Sequence, residues 1–309
     1  MKKSVNNSNQ RLSRRGALKS GVTAAVSAAA GFAAPTTLQA QVRSGKPKNM
    51  HVSLAAYSMR NALQKGDMDL FGFIDWCAEL DLRGTELTSY YFKENFDTAY
   101  VRELRKRAFD QGVTVSGTAI RNNFCRPAGP EKQKDIDHVK RWIDYAAEMF
   151  APHIRIFAGN LEEGKSKADG IKWVAEGIRA CLDYAGERGI YLGIENHGGI
   201  TARVADHLAI CDAVGDHPWF GVNLDTGNYR TNAYKELAIA APRAVNVQIK
   251  VEIFESDGGP KKLADLERFR DILAAADYKG WVALEYEAAG DPREEIPMYI
   301  KRLKEMYER

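Results

Sequence analysis

Four runs in the second half of the chain place an oxygen-bearing side chain directly after an apolar residue: Ile194-Glu195-Asn196-His197, Leu224-Asp225-Thr226-Gly227-Asn228, Val247-Gln248-Ile249-Lys250 and Leu284-Glu285-Tyr286-Glu287. If these runs end at one rim, Glu195, Asp225, Gln248 and Glu285 gather three carboxylates and an amide oxygen, and the carboxylates repel unless a cation lies between them. A divalent metal resolves that conflict. A single glutamate in such a place is more often solvated or caps the next helix. Recurrence in one phase on four successive strands is what makes the set a ligand group. His197, beside Glu195, is placed to contact a substrate. His51, His138, His153, His207 and His217 fall at strand starts or helical positions and read as structural.

The elements that must position these runs follow from patterning. β-rich stretches at 51–57, 83–88, 113–119, 153–158, 190–195, 220–225, 244–250 and 281–286 predict eight strands. Between them, apolar residues recur at three- and four-residue intervals over 68–80, 97–111, 131–150, 169–188, 201–214, 262–277 and 292–308, which predicts helices. Asp97, Thr201 and Asp291 are the expected N-caps, the last with Pro292 at the first helical position. Gly112 and Gly189 stand where left-handed helix stops belong. Alternating β and α units predict an α/β single-domain (β/α)₈ TIM barrel, and about 269 residues beyond the leader match its usual size of about 250. In such a barrel the strands' C-terminal ends carry the chemistry. A doubly wound dinucleotide fold would want G-x-G-x-x-G after the first strand, where this chain has Ala55-Ala56-Tyr57-Ser58-Met59-Arg60. The Gly/Pro-rich segments 125–130 and 256–260 are expected as loops over the barrel mouth.

Residues 1–40 read as an address, and 41–309 as the barrel domain. The first forty residues hold six bases, Lys2, Lys3, Arg11, Arg14, Arg15 and Lys19, and no acid. A mildly apolar stretch from Gly21 to Ala34 and a small-residue exit at Leu38-Gln39-Ala40 complete the order of an export signal. Arg14-Arg15 looks like the twin-arginine pattern, with Ala17 where Phe is usual, so the translocase of that route is an expected partner and a periplasmic or otherwise exported location follows. The apolar run is too short and too rich in Ala and Gly for a membrane span, and no Cys near the exit offers a lipid anchor. The leader removed, 38 of the 44 bases face all 41 acids, which gives no electrostatic case for nucleic acid. Cys77, Cys125, Cys181 and Cys211 lack the spacing of a zinc motif or disulfide scaffold.

From about His51 to the C-terminus the chain resembles the xylose-isomerase-like TIM-barrel superfamily, in particular its sugar-phosphate isomerase/epimerase group with inosose isomerases/dehydratases and ketose 3-epimerases. The resemblance rests on Glu195-Asn196-His197, Asp225-x-Gly227-Asn228, Gln248-Ile249-Lys250 and Gly280-Trp281-Val282 leading to Glu285-Tyr286-Glu287. It implies that Glu195, Asp225 and Glu285 hold a metal, with Gln248 where the family usually has His. An all-oxygen set favours Mn²⁺, Mg²⁺ or Ca²⁺ over Zn²⁺, with Mn²⁺ or Mg²⁺ the expected ion. It also implies that Glu195 and Glu285 are the catalytic pair, removing and returning a proton next to a carbonyl through an enediolate. His197, Asn228, Lys250, Tyr57, Glu86 and Glu287 are then the expected substrate contacts, with Tyr90, Tyr91, Phe92 and Trp281 as further aromatic surface for a sugar face.

The expected substrate is a small carbohydrate, and epimer, isomer and eliminated product share the same intermediate. No glycine-rich phosphate cradle follows strands seven or eight, so a free or keto sugar, an inositol derivative or a glycoside is expected rather than a sugar phosphate. A non-catalytic carbohydrate-binding barrel is the rival from another class, motivated by Gln248. An apurinic-site endonuclease would need more His and Asp ligands and a basic groove. Homo-oligomer formation is compatible with all of these.

Overall fold

The computed structural model describes residues 49–256 and 258–308, so the export signal expected over 1–40 lies outside the described residues. Eight strands close into a parallel barrel: β1 (Met50–Ala55), β2 (Gly84–Thr88), β3 (Thr114–Ala119), β4 (His153–Ile156), β5 (Tyr191–Glu195), β6 (Phe220–Asp225), β7 (Ala244–Ile249) and, eighth in the ring, β10 (Gly280–Leu284). β10 pairs with both β7 and β1, so the ring has no free edge. Two short strands, β8 (Glu252–Phe254) and β9 (Lys261–Leu263), form an antiparallel hairpin between β7 and the next helix. Ser256 and Gly259 lie between these two strands, the Gly259 N–H donating to Ser256 O at 3.1 Å.

The helices are α1 (Arg60–Lys65), α2 (Leu70–Glu79), α3 (Thr98–Asp110), α4 (Pro130–Met149), α5 (Lys167–Glu187), α6 (Val204–Val214), α7 (Ala233–Ala240), α8 (Leu266–Ala275) and α9 (Pro292–Tyr307). In α3, Asp97 accepts the Tyr100 N–H at 3.0 Å, while Tyr100, Val101, Leu104 and Ala108 form one buried stripe. Gly112 stops the chain with φ 70°. Leu104 is fully buried, so truncating it to Ala removes roughly 2–5 kcal/mol. Asp291 caps α9 by accepting the Arg293 N–H, with Pro292 at its start. Thr201 is a correction: α6 begins at Val204, and the Thr201 hydroxyl instead accepts the His197 N–H at 3.0 Å and donates to Gly198 O. A local turn takes the oxygen that an N-cap would have used.

Strand alternation sorts the barrel into two faces. Leu54, Leu87, Ile154, Leu192, Val222 and Val247 lie under the helices in the apolar core. The other phase is polar and equally buried, including Ser53, Glu86, His153, Asn223, Asn246 and Gln248. These fill the interior, because Gln248 on β7 bonds Glu86 on β2 and those strands are not neighbours in the ring. Gly117 leaves room for this filling: a Cβ there would come within 1.8 Å of the His153 ring.

Candidate active site

Above the polar interior the strand ends open into a cavity of about 280 Å³. Its wall carries Glu195, His197 and Asn228, Lys250 from the end of β7, Glu285 and Glu287 from the end of β10, and Tyr57 and Tyr90 from the first two βα loops. The hairpin contributes Phe254 and Lys261 at the rim. Register explains the convergence: Asp225 on β6 stands beside Gln248, Gln248 beside Ala283, and Glu285 continues that row by donating its N–H to Ile249 O at 2.9 Å.

Two buried cations organise the acids. Lys250 Nζ lies 2.5 Å from Glu285 Oε2, 2.6 Å from Glu287 Oε1 and 3.2 Å from Asp225 Oδ2. On the other side Arg155 Nε lies 2.8 Å from Glu195 Oε2, while the Asn228 amide donates to Glu195 Oε1 at 2.9 Å. Arg155 is itself fixed by donating to Ile120 O at 2.6 Å and stacks its guanidinium 3.9 Å above the Phe157 ring. The Phe157 ring in turn meets the His197 ring with centroids 4.2 Å apart.

Burial pushes the Glu195 carboxyl up, with Arg155 and Lys250 acting the other way. Burial likewise holds Asp225 well above the usual carboxylate range, against the pull of Lys250. Burial alone would lower Lys250, but Asp225, Glu285 and Glu287 together outweigh it and keep the ammonium charged. Glu287 also resists its burial, and Lys250 brings it below the ordinary value. His197 is depressed to about 4 by burial and then by Arg155, so its ring is neutral at neutral pH.

The four donors expected to surround a metal do not form an ion seat in this arrangement. Gln248 turns its amide into the barrel, its Nε2 donating to Glu86 Oε1 at 2.6 Å and its Oε1 accepting from Asn223 Nδ2 at 2.6 Å. Asp225 and Glu285 face the Lys250 ammonium, and Glu195 faces Arg155. Among the described residues no group of three or more His, Cys, Asp or Glu is arranged to hold a metal ion. The repulsion foreseen among the acids is real, and two side-chain cations from this chain answer it.

Of the expected substrate contacts, Tyr57, His197, Asn228, Lys250 and Glu287 line the cavity; Glu86 does not, being enclosed on β2 beneath it. Tyr90 also lines it. Phe92 belongs instead to an aromatic cluster with Phe96, Tyr100 and Trp142. Trp281 sits near the start of β10, against His51, at the opposite end of the barrel. Arg155 is the residue that sequence reasoning passed over. Its signal was present: in His153-Ile154-Arg155-Ile156-Phe157 it shares the inward phase with His153, and a charged residue there must meet an opposite charge.

The family model described as xylose isomerase-like TIM barrel matches residues 74–306, and the chain belongs to that family. No curated relative matches the sequence. Among solved structures, the barrel is similar to a D-psicose 3-epimerase determined in the presence of D-fructose, at 16% identity and TM-score 0.65, over 84% of this chain and 99% of that one. It is similar to a 3-keto-D-glucoside 4-epimerase from E. coli at 14% identity and TM-score 0.65, over 83% and 99%. A probable 3-DHS dehydratase from Bacillus anthracis matches at 17% identity and TM-score 0.61, over 82% and 99%. At these identities the likeness is one of fold.

Proposed function

We propose that this barrel is an exported carbohydrate isomerase or epimerase that moves a proton next to a carbonyl, with Glu195 and Glu285 as the exchanging pair. The observation that carries the reading is the meeting of these two buried carboxylates in one sugar-sized cavity, each set against a fixed cation. One carboxylate takes the proton from the carbon beside the carbonyl, and the C–H electron pair becomes the C=C bond of an enediolate. A carboxylic acid then returns a proton. Return to the opposite face gives an epimer, and return to the neighbouring carbon gives an isomer. The dehydratase among the similar barrels keeps elimination as a second outcome of the same intermediate. Tyr57 and Tyr90 offer ring surface to the sugar, and neutral His197 offers a hydrogen bond.

The test is exchange. Incubating the mature protein in D₂O with a panel of free ketoses, inososes and 3-keto-glycosides should place deuterium on the carbon beside the carbonyl. Glu285→Gln and Glu195→Gln should each slow exchange by roughly 10²–10⁴-fold, the usual effect of losing an acid/base group. Sugars that bind without exchange would establish a carbohydrate-binding barrel instead. Exchange equally fast in both variants would remove these two glutamates from the chemistry.

A further inference from the structure

We infer that Lys250 is the electrophile of this site, an ammonium standing in the position where the acid cluster would otherwise require a divalent metal ion. The inference rests on the proton-transfer reading above and goes beyond it by assigning the group that stabilises the developing oxyanion. It is carried by geometry. The Nζ atom reaches carboxylate oxygens of three residues on two strands: Asp225 at the end of β6, and Glu285 and Glu287 at the end of β10. That is the charge environment of a bound cation, and the side chain filling it is 7% exposed.

The fold is built to hold Lys250 there. Its backbone N–H donates to Thr226 Oγ1 at 2.8 Å, tying the end of β7 to the loop after β6. Its stem lies against Gly227, where a Cβ would come within 2.6 Å of Lys250 Cγ and 2.9 Å of Lys250 Cβ. Asp225 is oriented in turn, because its Oδ1 accepts the Gly227 N–H at 2.8 Å, leaving Oδ2 toward the ammonium. Meanwhile Gln248, the nearest neutral oxygen donor on the same strand, is committed to Glu86 and Asn223 inside the barrel.

An ammonium has three N–H donors. Two are taken by Glu285 and Glu287. Asp225 Oδ2, although 3.2 Å away, accepts no hydrogen bond. The third N–H, which has only this looser contact, is the one a substrate oxygen at the cavity wall would take. When a carboxylate removes the proton, the carbonyl π pair moves onto that oxygen, where the ammonium stabilises the charge; reprotonation of carbon sends the pair back. No electrons leave the substrate, and no co-reactant is needed. A fixed charge in a buried site supplies the stabilisation otherwise provided by a metal.

The experiment compares wild type, Lys250→Ala, Lys250→Met and Lys250→Arg by thermal melting in EDTA and in MnCl₂ series, with isothermal titration of Mn²⁺ as an independent readout. Wild type should be indifferent to both EDTA and Mn²⁺. The Ala and Met variants leave Asp225, Glu285 and Glu287 without their counter-ion, so they should melt lower in EDTA and be raised by Mn²⁺, with about one ion bound per chain. Lys250→Arg retains the charge, folds without that penalty and should remain indifferent to Mn²⁺. Wild-type protein that binds one Mn²⁺ and melts lower in EDTA overturns the inference, as do Ala and Met variants that ignore Mn²⁺. In the D₂O assay, wild-type exchange should survive EDTA and fall by roughly 10²–10³-fold in Lys250→Met. Exchange abolished by EDTA sinks the lysine assignment and leaves proton transfer standing. No exchange with any sugar counts against proton transfer, and the Mn²⁺ arm then decides Lys250 by itself.

Discussion

Glu86 is the residue whose burial has the clearest consequence for stability. It is fully enclosed, accepting from Gln248 Nε2 at 2.6 Å and Asn246 Nδ2 at 3.0 Å, and burial, aided by the charge of Glu285, pushes its carboxyl from 4.5 to about 7. Because the folded value is the higher, its contribution to stability is fully present below about pH 4.5 and is lost as pH rises through about 7. Glu86→Gln should remove that slope, which is worth up to roughly 3 kcal/mol across the window. His153 and His207, both lowered to about 4 by burial, act in the opposite sense, losing stability as pH falls from 6.5 toward 4. The difference between variant and wild type isolates Glu86 from them. Thermal melts of both proteins from pH 4.5 to 8 check it, and two parallel profiles would show that Glu86 does not titrate there. A buried glutamate in β2 is visible in the sequence as Gly84-Thr85-Glu86-Leu87-Thr88, but whether it faces substrate or other side chains is not. That depended on Asn246 and Gln248, some 160 residues away.

At the level of elements, the loop after β6 does more than join a strand to α7. Thr226 and Gly227 hold the Lys250 backbone and stem, so an added methyl at 227 must displace one or the other; it would also lie 3.1 Å from Glu252 O. Gly227→Ala should destabilise the barrel by about 1–3 kcal/mol, the usual range for overpacking, and lower kcat/KM for any exchanging sugar. Gly129→Ala is the control, at an extended backbone position with nothing within 4 Å of the added carbon. Equal melting temperatures for the two variants would refute the crowding argument. The eight strands and the long helices were legible because their apolar periodicities run over many residues. α7 and the β8–β9 hairpin were not, since eight residues in one case and three per strand in the other carry too little pattern. Yet the hairpin places Phe254 and Lys261 on the cavity.

For the whole molecule, the remaining prediction concerns export. If residues 1–40 are the proposed twin-arginine signal, replacing Arg14 and Arg15 by Lys preserves their charge but removes the arginine pair that such a route's receptor reads. The precursor should then accumulate in the cytoplasm, which fractionation and immunoblotting would detect. Undiminished secretion of the Lys-Lys form would refute the twin-arginine assignment and leave the barrel argument untouched.

The amino-acid sequence by itself determined the barrel, because alternating β and α periodicities are local properties, and a closed eight-stranded ring buries all of those strands at once. It also determined which strand ends bear acids, since period-two alternation assigns each side chain to a face without reference to any other strand. Only the tertiary structure decided what lies between those acids. Lys250 meets Asp225 25 residues before it and Glu285 35 residues after it, and Arg155 meets Glu195 40 residues on. Pairings of that kind depend on strand register and on the room left by Gly227, which no local pattern encodes. Like charges must be neutralised wherever they converge; whether an ion or a side chain does so is settled by which atoms the closed ring brings within about 3 Å, the reach of a charge-assisted hydrogen bond.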